Sequence, residues 1–169
     1  MGKRGYFFTL DAFIAIGVIM TGVFIVLLLV SSRPFTAQSV LLAQDLANSL
    51  VSTKVKDINN PVFSNLTNTG IITNAGLSPL TLFGEFYFRG LSDQKYNSYN
   101  SLMVYNLTEG IFPREFNFEI RINNASIYRF NTTALEDAEL IVSSKRIISG
   151  SIDNTQFWGP YPAEVLVWQ

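Results

Sequence analysis

The chain has 169 residues, a net charge of −1 and neither cysteine nor histidine. These totals exclude disulfides and thiolate metal sites. They also remove the commonest general base and metal ligand, and leave no basic stripe to neutralise a phosphate backbone. No cofactor is implied, and the length suits one apolar segment followed by one small globular domain.

Lys3 and Arg4 precede an apolar run. Residues 12–30, AFIAIGVIMTGVFIVLLLV, carry no charge and no proline. At about 1.5 Å per residue this run covers roughly 28 Å as a helix, close to the thickness of a hydrocarbon core. A transmembrane helix is therefore predicted, N-terminus inside, because basic residues resist translocation. Three readings of the segment stand. It is a permanent signal anchor, a cleaved secretory signal with Val30 and Ser32 near the cut, or a short leader followed by a retained helix. The apolar run is long for a secretory signal, and Asp11 sits where such a core would begin. Asp11 is costly at the edge of a span unless it is paired or lies near headgroups. At a helix start it also favours the N-terminal dipole.

The residues KRGYFFTLDAF, 3–13, resemble the class III signal of type IV pilins, archaeal ones above all. The resemblance implies a basic leader ending in Gly5 and a cut by a prepilin peptidase on the cytoplasmic side. Tyr6 becomes the new N-terminus. The apolar helix then stays attached and packs in a filament core, so the chain is a homo-oligomer through that helix. The implied partners are the peptidase, an assembly ATPase and a membrane platform protein. Bacterial pilins carry glutamate at the fifth residue after the cut, whereas here the acid is Asp11, the sixth. Its implied role is assembly: meeting the freed amine of a neighbouring subunit and setting register. The run GPYPAEVLVW, 159–168, also resembles the C-terminal end of archaeal pilin-like proteins.

After Arg33-Pro34, residues 36–58 read as an amphipathic helix. Leu42, Leu46, Leu50 and Val51 recur at helical spacing beside Ala43 and Ala47, opposite Gln44, Asp45, Asn48 and Lys54. Asn59-Asn60-Pro61 is predicted to end it. Strand signals follow. Residues 115–122 alternate, with Phe116, Phe118, Ile120 and Ile122 on a buried face and Glu115, Asn117, Glu119 and Arg121 on a solvent face. Asn123-Asn124 then turns into a return strand, 125–130. Weaker strands are predicted at 81–89, 101–106, 140–149 and 163–168, with a polar loop over 91–100.

The expected fold is α+β: a long N-terminal helix, transmembrane and then amphipathic, packed on an antiparallel β-sheet head. The divisions are a leader at 1–5, a transmembrane or filament-core helix at 6–32, its amphipathic continuation at 33–59, and an extracellular β-rich head at 60–169.

Four N-x-[ST] sequons begin at Asn65, Asn106, Asn124 and Asn131, each in a predicted turn or at a strand end where a glycan would fit. Most aromatics read as sheet core, with Tyr96 and Tyr99 as candidates for subunit or carbohydrate contact. Glu136, Asp137 and Glu139 read as a solvated face rather than a calcium site. No GxSxG, HExxH, Walker A or EF-hand pattern occurs. The function expected is therefore non-enzymatic. The resemblance implies a structural subunit, or pilin, of a type IV-like filament at the cell membrane and surface, with adhesion as an added role. The alternative is a signal-anchored single-pass surface protein whose β-rich domain binds a partner or ligand. A hydrolase using acids alone is the third reading.

Overall fold

The computed structural model describes residues 3–31, 34–113 and 115–169, and only the backbone for 3–11, 29–31 and 34–36. The chain divides into two compact units, Met1–Gln38 and Ser39–Gln169.

The first unit contains helix α1, Lys3–Ser31, and the beginning of α2, Pro34–Ser52. Thr21 donates its hydroxyl to the Gly17 carbonyl at 2.8 Å, satisfying the polar atom within an apolar stretch. Among the described residues, no helix is long and apolar enough to cross a membrane. That overturns the transmembrane helix expected over 6–32. The apolar stretch whose side chains are described, 12–28, is 17 residues. It gives about 26 Å of helix, where a bilayer asks for roughly 20 residues and 30 Å.

The second unit is α+β. From α2 it takes Ala43, Leu46, Ala47 and Leu50 into its core. Val51 is exposed, so the buried stripe is narrower than the sequence reading gave. The helix stops at Ser52, six residues before the expected end, and a 3-10 turn covers Val55–Asp57. Asn60-Pro61, expected to end that helix, starts another one instead. The Asn60 side chain accepts from the Val62 N–H at 2.9 Å, capping α3, Pro61–Asn68.

Two predicted strands are helices. Residues 81–89 belong to α4, Pro79–Gly90, and 101–106 to α5, Lys95–Thr108. Ser78 caps α4 by accepting from the Thr81 N–H, and Pro79 opens its first turn. Leu82, Phe83 and Phe86 then fall on one buried helical face. In α5, Asn100, Met103 and Val104 are buried in the same way. The Asn100 amide donates to the Phe83 carbonyl at 3.1 Å and ties the two helices together. The polar loop is thus shorter than 91–100.

The sheet has four antiparallel strands in the order β2-β1-β4-β3. They are β1, Asn117–Ile122; β2, Ala125–Phe130; β3, Ile141–Ile152; and β4, Gln156–Trp168. The hairpin between β1 and β2 turns at Asn123 and Asn124, both at positive φ (51° and 64°), as a tight two-residue turn requires. Helices α4 and α5 pack on the sheet, with Phe118, Ile120, Ile122, Val165 and Val167 in the shared core.

β1 is a central strand, and this changes its second face. Asn117 and Glu119, expected in solvent, are 1% and 0% exposed. The segment after β2 lies against Asn117, while Glu119 is held by Arg121 and Arg129. The Asn117 side-chain carbonyl accepts from the Thr132 N–H and hydroxyl and from the Thr133 N–H. The Trp168 indole N–H donates to the Thr133 carbonyl at 3.0 Å. Buried polar groups survive here because each has partners.

Candidate functional site

An α-helix places successive residues about 100° apart, so an uncharged run longer than two turns presents apolar side chains in every direction. In α1 the run 12–28 does this, and every residue in it is exposed. Twelve large apolar side chains are among them. They include Phe13 at 76%, Ile19 at 65% and Phe24 at 62%. A Cβ at Gly17 or Gly22 would meet nothing within 4 Å. Among the described residues, no other stretch carries so many exposed large apolar side chains in succession.

Gly5, Tyr6 and Asp11 all fall within the bounds of α1. Their side chains, with the proposed cut and the proposed pairing of Asp11, lie outside the described residues.

The sequons take different settings. Asn124 occupies the β1–β2 turn, and Asn131 follows β2; both are exposed. Asn65 is exposed too, but on helix α3 rather than in a turn. Asn106 lies inside α5, partly buried, and its amide donates to the Leu102 carbonyl at 2.9 Å. Tyr96 and Tyr99, read as candidate contact residues, are partly buried. Each meets Phe86 with ring centroids at 5.3 and 6.3 Å respectively.

Two charged nodes escaped the sequence reading. Glu119 accepts from Arg121 at 2.8 Å and from Arg129 at 3.0 Å. Burial raises its pKa, but hydrogen bonds from Arg121, Ser126 and Arg129, with the charge of Arg121, outweigh burial and hold it below its usual value. Glu85, 3% exposed, lies 2.6 Å from Arg89. Here burial dominates, Arg89 offsets it only in part, and the carboxyl is pushed up. Both nodes join neighbouring positions, Glu85 to Arg89 along one helix and Glu119 to Arg121 along one strand, with Arg129 across the hairpin. They read as structural ties.

Among the described residues, no three or more His, Cys, Asp or Glu side chains converge in a way that could hold a metal ion. No protein-family model, curated protein or solved structure matches this chain.

Proposed function

We propose that this chain is a non-enzymatic structural subunit of a cell-surface filament of the type IV pilin kind, assembled through α1. The observation that carries the reading is the exposure of α1 on all sides over residues 12–28. A single docking partner covers one face of a helix and leaves the others in water. Copies of the same helix arranged around one another cover every face at once. Burying a large apolar side chain contributes about 1.5–3 kcal/mol, so twelve of them contribute on the order of tens of kcal/mol to assembly.

The resemblance at residues 3–13 supports the same reading. It supplies a cut after Gly5, a new terminus at Tyr6, and Asp11 as the acid that meets a neighbouring amine. A prepilin peptidase, an assembly ATPase and a platform protein complete the machinery. The head, Ser39–Gln169, forms the filament's outer surface, where exposed Asn65, Asn124 and Asn131 are the glycan acceptors.

The test is electron microscopy of material sheared from cells that make the full chain or its Phe24→Asp variant. Filaments of uniform diameter from the parent, and none from the variant although its head remains folded, support the reading. Absence of filaments in the parent, or unchanged filaments in the variant, contradicts it.

A further inference from the structure

An aromatic cleft opens where the end of α5 meets the β1–β2 hairpin. Its volume is about 230 Å³, and its walls include Tyr105, Glu109, Phe112, Phe118, Tyr128 and Phe130. Phe118 is the buried floor. Phe112 stacks on it at 4.5 Å between centroids and 16° between planes, Phe130 lies at 6.0 Å and 26°, and Tyr128 tilts against it at 5.7 Å. Tyr105 and Phe130 are exposed, at 46% and 40%.

One acid stands in this aromatic lining. Glu109 is exposed at the end of α5 and accepts the Tyr105 hydroxyl at 2.9 Å. It has no cationic partner among the described residues, whereas Glu85, Asp93, Glu119 and Glu164 each have one. Its field reaches both tyrosines of the cleft. The Glu109 hydrogen bond and charge raise the Tyr105 pKa, and burial followed by the Glu109 charge raises that of Tyr128.

We propose that this cleft binds a methylated ammonium group, the head of a choline- or betaine-like molecule. Aromatic faces carry negative charge density and attract a cation whose hydration is weak. A primary ammonium would need three converging acceptors, whereas five of the eight lining residues present aromatic rings and one a carboxylate, with one of its oxygens held by Tyr105. A trimethylammonium needs none: its methyl groups pack on the rings while Glu109 balances its charge. The volume suits such a head rather than a drug-sized molecule, whose pockets begin at roughly 300 Å³. The proposal is independent of filament assembly, since the cleft lies wholly within the second unit.

The test is calorimetric titration of the full chain, kept in a nonionic detergent, with choline, glycerophosphocholine and 3,3-dimethyl-1-butanol. The butanol has the shape of choline without its charge. Choline is expected to saturate, with the uncharged analogue about tenfold weaker or worse. Glu109→Gln and Phe130→Ala, both at exposed positions, should each weaken choline by about tenfold with an unchanged circular dichroism spectrum. Comparable binding of glycerophosphocholine means that a phospholipid-type head is admitted, and binding of choline alone means a free small cation. The proposal is overturned if choline shows no saturable binding, if the uncharged analogue binds equally well, or if Glu109→Gln leaves choline binding unchanged.

Discussion

Gly84 of α4 lies directly beneath the indole of Trp158 on β4. A Cβ at Gly84 would stand 2.7 Å from one ring carbon of Trp158 and 2.5 Å from the end of Ile148. Gly150 holds the other approach, where a Cβ would come 2.7 Å from the same indole. The helix therefore sits on the β3–β4 pair only as closely as two missing side chains allow.

Gly84→Val should overpack this contact and destabilise the head by about 1–3 kcal/mol, because the end of Ile148 can turn aside but the rigid, buried Trp158 ring must shift as a whole. Denaturant unfolding followed by tryptophan emission measures it. Both tryptophans, Trp158 and Trp168, are buried at 3% and 0%, so emission should shift to the red on unfolding.

Glu119 makes stability acid-sensitive. Its folded pKa is lowered from 4.5, so its contribution is present above the unfolded value and disappears as pH falls below 4.5 through the folded one. Glu85 acts in the opposite sense. Its folded pKa is raised from 4.5, so its contribution is present below 4.5 and lost as pH rises through the folded value. Glu119→Gln should cost about 1.5 kcal/mol at neutral pH, because it removes the charge-assisted hydrogen bonds while the partly exposed Arg121 and Arg129 turn to water. It should also flatten the acid limb of a stability–pH curve. An acid limb identical to that of the parent would show that Glu119 is not the group responsible.

Glycan occupancy should follow exposure and hydrogen bonding. Asn65, Asn124 and Asn131 are the sites expected to carry mass in protein recovered from cells. Asn106, with its amide committed to the Leu102 carbonyl and Thr108 5% exposed, should stay bare. Glycopeptide mass spectrometry reads each site separately, and a fully occupied Asn106 would show that modification precedes folding of α5.

Terminal sequencing of the same material should find Tyr6 first. Gly5→Val should leave the chain uncut and keep it out of filaments. Normal filaments from that variant would remove the proposed cut from the assembly scheme.

The hairpin at 117–130 was legible because alternation, a two-residue Asn-Asn turn and strand propensity agree there. The solvent face assigned to Asn117 and Glu119 was not. What covers Asn117, the segment around Thr132 and Thr133, carries no periodic signal, and the central place of β1 depends on pairing with β4, whose partner residues lie 41 to 51 positions further along. Residues 81–89 misled for a different reason. Phe83, Phe86, Tyr87 and Phe88 have high β-propensity, but Ser78-Pro79 supplies a cap and a first helical residue, and that pair outweighed it. The apolar run of α1 was plain to see, and its partner was not, because a run that is apolar on every side carries no pattern that points to one docking face. The cleft at Glu109 was illegible, since it joins a helix end to two strands that only folding brings together.

The most direct test of helix-driven assembly uses the absence of cysteine from the chain. Single cysteines at Val18, Ile19, Val23 and Phe24 sample all sides of α1. Oxidation of filaments or cell-surface material should give disulfide-linked pairs of chains from several of these positions. A cysteine at Phe157, at 78% exposure on β4 of the head, serves as the comparison. If none of the α1 positions cross-links while Phe157→Cys does, copies meet through their heads and α1 is not the assembly element.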